Sequence, residues 1–160
     1  MRRLRMQRDR EGGFTLVELM VVLLIIAILI AIAIPTFLEY RRRASNRAVQ
    51  AHLSTVLKAQ RGFMADPPFV FTSDGNDLEA IEPGLNYDTA ANPTCAAYVD
   101  QYCVRVEVLG PDEVLLIARS GTGEYWAIRD VTVGPGAGTF YNQGGDAAPP
   151  AAAAVVDDSW

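Results

Sequence analysis

Residues 13–38 read GFTLVELMVVLLIIAILIAIAIPTFL, and this stretch decides what the rest of the chain can be. From Leu19 to Ile34 there are 16 consecutive residues drawn only from Leu, Ile, Val, Met and Ala. Taken from Phe14 to Leu38, the segment is 25 residues, or about 37 Å as a helix, enough to cross the hydrocarbon core of a bilayer. The 12 Leu, Ile and Val side chains between positions 19 and 34 contribute about −4 to −7 kcal/mol on an insertion scale. Glu18 opposes this by at most about 3 kcal/mol, and by less near the membrane surface. The segment is therefore expected to insert.

Charge on either side sets its direction. Arg2, Arg3, Arg5, Arg8 and Arg10 precede the run with only Asp9 and Glu11 among them, and Arg41, Arg42 and Arg43 follow it. Both flanks are basic, but residues 62–160 carry only 3 basic side chains against 15 acidic ones. Such a part is easy to translocate, so the N-terminus is expected in the cytoplasm and the acidic part outside. The same asymmetry, within a 160-residue chain of net charge −5, excludes a dispersed basic surface for nucleic acid from the acidic part. With half of the residues hydrophobic, the chain is also too apolar for a solvated coil.

A basic start followed by an apolar run is also the pattern of a secretory signal peptide, and Ala31-Ile32-Ala33 offers an A-x-A site. The 17 residues from Phe14 to Ile30 exceed the usual apolar region, contain Glu18, and run into Ala33 without a polar spacer. A simple single-pass anchor fits the length, yet leaves an acid four residues beyond Phe14 without a purpose.

Gly13-Phe14-Thr15-Leu16-Val17-Glu18-Leu19, behind a short basic leader and ahead of the apolar run, closely resembles the N-terminus of type IV prepilins and pilin-like proteins. Pro35, Glu39 and Tyr40 continue the likeness, which covers about the first 50 residues. It implies that a prepilin peptidase cuts after Gly13, that the new amine of Phe14 is methylated, and that residues 1–13 are a leader. It also implies that assembly machinery in the cytoplasmic membrane moves the subunit from membrane lipid into a homopolymer displayed on the cell surface. Glycine suits such a cleavage point because an extended backbone without a side chain approaches a protease closely.

Glu18 needs a partner in an apolar setting, and cleavage creates one in the Phe14 amine, whose ordinary pKa is about 7.7 to 8.0. The pair forms within one chain or, as the resemblance implies, between neighbouring subunits, where it fixes axial register. The alternative is that Glu18 simply reaches the headgroups. Pro35 removes one backbone donor and is expected to kink or loosen the helix without ending it.

Beyond the membrane, Val49, Leu53, Val56 and Phe63 recur at steps of four, three and seven, a stripe for packing a helix against a sheet. Gly62 and Asp66-Pro67-Pro68 mark the expected end near residue 64. Residues 65–92 read as an irregular connection. Strand candidates follow at 98–109, 114–120 and 125–133, with a short fourth at 139–142, joined by turns at Gly110-Pro111-Asp112 and Gly121-Thr122-Gly123. The expected fold is α+β: a long helix over 14–64, a head over 65–143 with an antiparallel sheet, and a flexible tail over 144–160.

Cys95 and Cys103 form an even pair that faces an oxidising compartment under this topology, and a disulfide between them contributes roughly 2.6 kcal/mol in the chain-entropy model. No CxxC exists and His52 is the sole histidine, so neither a metal site nor a cofactor is expected. No nucleophile elbow or phosphate-binding loop is present, and no enzyme is expected. The leading expectation is a type IV pilus subunit. A type II secretion pseudopilin shares the same N-terminus, and a monomeric membrane-tethered binding protein is the rival of a different class.

Overall fold

The computed structural model describes residues 13–89, 103–142, 144 and 148–160. The chain divides into two compact units, residues 1–40 and 41–160. One helix, α1 (Leu16–Met64, 49 residues), begins in the first and ends in the second.

In the first unit every described side chain is exposed, the apolar ones from Leu16 to Leu38 included. The helix holds here through its own backbone bonds, with no partner surface among the described residues. Pro35 lies inside it, and the helix continues on both sides. The next residue contributes a side-chain bond, Thr36 Oγ1 donating to the Ile32 carbonyl at 3.1 Å.

In the second unit α1 buries Val49, Leu53, Val56, Leu57, Ala59 and Gln60. The expected stripe is correct for its first three members. Phe63 is only partly buried, and Leu57 and Gln60 extend the covered face in its place. Gln60 is fully buried because its amide completes a backbone pair: Nε2 donates to the Thr72 carbonyl at 2.9 Å, and the Thr72 N–H donates to Oε1 at 3.0 Å.

The connection after α1 is more ordered than its composition foretells. A short helix, α2 (Gly75–Ile81), starts at Asp74, whose carboxylate accepts the Asn76 N–H at 2.9 Å. A four-residue strand, β1 (Asn86–Thr89), follows. Both are absent from the sequence expectation, because seven and four residues are too few to establish a period.

The sheet has five strands in the order β1-β2-β3-β4-β5. β2 (Cys103–Gly110), β3 (Glu113–Arg119), β4 (Tyr125–Val131) and β5 (Gly138–Tyr141) pair antiparallel in sequence. The tight turns at 110–112 and 120–124 make this pairing local, as the sequence expects. β1 instead pairs parallel to β2, Asn86 opposite Cys103, so the sheet is mixed rather than wholly antiparallel. The part of the first strand candidate at 98–102 lies outside the described residues.

Alternation along the strands produces two apolar faces. Val104, Val106, Val114, Leu116, Ala118, Trp126 and Ile128 pack with the α1 stripe, Phe71, Leu78 and Tyr87. Leu115, Ile117, Tyr125 and Ala127 form a second cluster with Val155, flanked by Phe140 and Ala152.

That second face corrects the expectation of a flexible tail. Ala152–Ala154 form a 3-10 turn, Val155 is fully buried, and Asp157 exchanges two backbone bonds with Tyr141 at 2.7 and 3.0 Å. Trp160 then sets its ring edge-on to Trp126 and Tyr141, with centroids 5.3 and 4.9 Å away. An apolar sheet face must be covered, and Ala152 and Val155 cover the second one, whereas Trp160 reaches residues of the first.

Candidate functional site

Helix α1 starts at a pair of residues three apart. The Thr15 N–H and the Thr15 hydroxyl both donate to Glu18 Oε2 at 2.8 Å, and the Glu18 N–H donates to Thr15 Oγ1 at 3.2 Å. This is a capping box, in which an N-cap Thr and an N3 Glu satisfy each other's orphan backbone donors. The acid of the apolar run is thus already engaged within its own first turn. Oε1 has no donor among the described residues.

The Thr15 contribution is legible in the sequence as T-x-x-E ahead of an apolar run, and it is missed when Glu18 is considered only as a charge in search of a counter-ion. Phe14, immediately before the cap, is 91% exposed. At Gly13 an added Cβ meets nothing within 4 Å, so the neighbourhood is open. Residues 1–12, the remainder of the expected leader, lie outside the described residues.

The other residues singled out from sequence are not gathered here. Pro35 lies about five turns further along α1. Cys103 heads β2, is buried, and is held in a disulfide; Cys95, its expected partner, lies outside the described residues. His52 lies on α1 in the second unit. Among the described residues no group of three His, Cys, Asp or Glu side chains is arranged to hold a metal ion.

Arrangement and surface together define what this end of the chain offers. A helix with one apolar span long enough to cross a membrane, exposed throughout, carries at its first turn one carboxylate held in place by its neighbour. Such a surface has two physical sinks: lipid, or the same surface on sister chains.

Residues 8–34 match the family described as the prokaryotic N-terminal methylation motif. Over 95 residues the chain is 40% identical to the type IV wide pilus major component PilA4 of Thermus thermophilus, covering 58% of this chain and 70% of that protein. It is 42% identical over 57 residues to the type IV major pilin protein PilA of Myxococcus xanthus, covering 36% of this chain and 26% of that protein. No solved structure matches the chain significantly. The methylation motif, the exposed apolar helix with its mixed sheet, and an identity spanning most of a pilin's length lead to one conclusion: the chain belongs to the type IV pilin family.

Proposed function

We propose that the chain is a prepilin cut after Gly13, methylated on the Phe14 amine, and polymerised through the apolar part of α1 into a surface filament. The observation that carries this reading is the exposed apolar surface of residues 16–38, headed by the Thr15–Glu18 box. In lipid the box satisfies the first helical turn. In a filament Glu18 Oε1 receives the ammonium of a neighbouring subunit's Phe14, which replaces a solvated counter-ion and sets the axial step.

Insertion with the N-terminus in the cytoplasm places residues 41–160 outside, where the disulfide of Cys103 is chemically at home and Cys95 is its natural partner. Pro35 supplies a point where helical bonds loosen as the subunit leaves the membrane. The partners are therefore lipid, the prepilin peptidase, the assembly machinery and, finally, other copies of the chain.

The test is intact-mass and N-terminal peptide mass spectrometry on sheared surface material and, separately, on membranes. A chain that begins at methylated Phe14 in the sheared fraction supports the filament subunit. The processed chain confined to membranes favours a pseudopilin, and a chain that begins at Met1 favours a simple anchor.

A further inference from the structure

The described ion pairs leave an uneven remainder. Arg42 pairs with Glu124, Arg61 with Asp130, Arg105 with Glu107 and Arg129 with Glu113. Exposed cations outside these pairs include Arg47 and Lys58, both on α1. They are 11 residues apart, about three turns, and so fall on nearly the same side of the helix.

Between them Ala48 and Ala51 are exposed. The hydroxyls of Ser54 and Thr55 turn back onto the helix, donating to the carbonyls of Gln50 and Ala51 at 2.9 and 3.0 Å. The strip is a shallow run of small side chains, its hydroxyls already satisfied, with a cation at each end.

Helix α2 presents the complementary surface. Asp74 caps it and Asp77 accepts the Thr72 hydroxyl at 2.9 Å, so both acids have local tasks. The side chains of Glu79 and Glu82 make no hydrogen bond or ion pair with the described residues. They lie at the C-terminal end of α2, where the helix dipole disfavours anions, and its last turn contains no basic residue.

We infer that the Arg47–Lys58 strip of α1 receives the Glu79 and Glu82 carboxylates at the end of α2 from a second copy of this chain. Glu79 and Glu82 lie closer together along α2 than Arg47 and Lys58 do along α1, so the long stems of the two cations bend inward to the carboxylates. Each patch has a single sign, so a two-fold contact of either patch with itself is repulsive. Two different patches that fit each other allow a heterologous contact, and a heterologous contact that does not close gives an open helical polymer. Charge pairs of this exposed kind set register and partner choice more than affinity. The inference rests on the filament reading and specifies a surface for it outside the apolar helix.

The experiment compares sheared filament yield for the full-length chain carrying Arg47→Glu with Lys58→Glu, Glu79→Lys with Glu82→Lys, and all four together. Thermal unfolding and N-terminal mass are measured on each. Each pair alone is expected to lower yield about tenfold or more through like-charge juxtaposition, and the fourfold swap to restore most of it. Wild-type yield from either folded pair variant, or a fourfold swap no better than its halves, overturns the inference while leaving the filament reading intact. A wild-type chain that keeps Met1 and never polymerises overturns both.

Discussion

The carboxylate of Asp130, 1% exposed on β4, takes both prongs of the Arg61 guanidinium from the last turn of α1, Nε at 3.0 Å and Nη2 at 2.6 Å. Thr139 on β5 joins them, donating to Asp130 at 2.7 Å while accepting from Arg61 at 2.7 Å. Helix and sheet are therefore joined by a charged clasp as well as by their apolar faces. The hydrogen bonds to Asp130 raise the Arg61 pKa above its already high ordinary value, so the cation persists at every working pH.

Arg61→Met strands a buried carboxylate. Removing one partner of a buried pair costs about 3–5 kcal/mol, but Arg61 is itself 53% exposed, so water reaches the site and the expected loss is about 1–3 kcal/mol. Adding Asp130→Leu should return part of it, because no charge is then left unpaired. Urea unfolding followed by tryptophan fluorescence measures both, since Trp126 and Trp160 are the chain's two tryptophans and both lie in the second unit. A double variant less stable than Arg61→Met alone sinks the clasp.

How much of this was readable beforehand depends on the range of the physics involved. α1 and β2 to β5 are legible because an apolar run, a 3.6-residue stripe and two tight turns are local signals. Gln60 is not, because a polar side chain on the buried face looks like an error until its partner, the Thr72 backbone 12 residues away, is known. β1 fails for the same reason, its parallel partner lying across a crossover. At the N-terminus Gly13, Phe14 and Glu18 stand out by pattern, whereas Thr15 needed the capping motif to be recognised.

The tail supplies a second prediction. Ala and Pro dominate residues 147–154 and mimic a loose linker, yet Val155 fills the outer face of the sheet. Val155→Ala should cost about 1.5–2.5 kcal/mol from lost burial and the cavity left behind. Trp160→Ala should cost about 1 kcal/mol through the lost edge-on contacts, with a change in Trp126 emission in the folded state. A loose tail would tolerate both with an unchanged unfolding midpoint.

Alkaline pH offers a third. Tyr87 is buried, and the loss of hydration together with the nearby carboxylates of Glu82 and Glu79 pushes its pKa from 10.0 up to about 12. Because the folded value lies above the unfolded one, this contribution is intact below pH 10 and is lost progressively as pH rises to about 12, amounting to about 2 kcal/mol. Tyr87→Phe gives up the bond from its hydroxyl to the Glu82 carbonyl, 3.1 Å long, and so starts less stable at neutral pH. Its stability should then decline less steeply between pH 10 and 12. Parallel curves for the two proteins in urea titrations across that range would remove Tyr87 as the cause.

Glu18 separates two roles that Glu18→Ala alone confuses. The Thr15–Glu18 box needs only a side-chain acceptor at the third helical position, and Gln serves there nearly as well as Glu. Neutralising a neighbour's ammonium needs the charge. Glu18→Gln should therefore keep the helix start, membrane insertion and leader removal, while filament yield drops as far as in Glu18→Ala. Thr15→Val breaks the box from the other side and spares the carboxylate, so it should weaken the helix start by about 1 kcal/mol and reduce assembly only in part. Electron microscopy of sheared material from the three variants, alongside N-terminal mass spectrometry, gives the ranking. If Glu18→Gln assembles like the wild type, the carboxylate acts as a cap and register must be set elsewhere on the subunit.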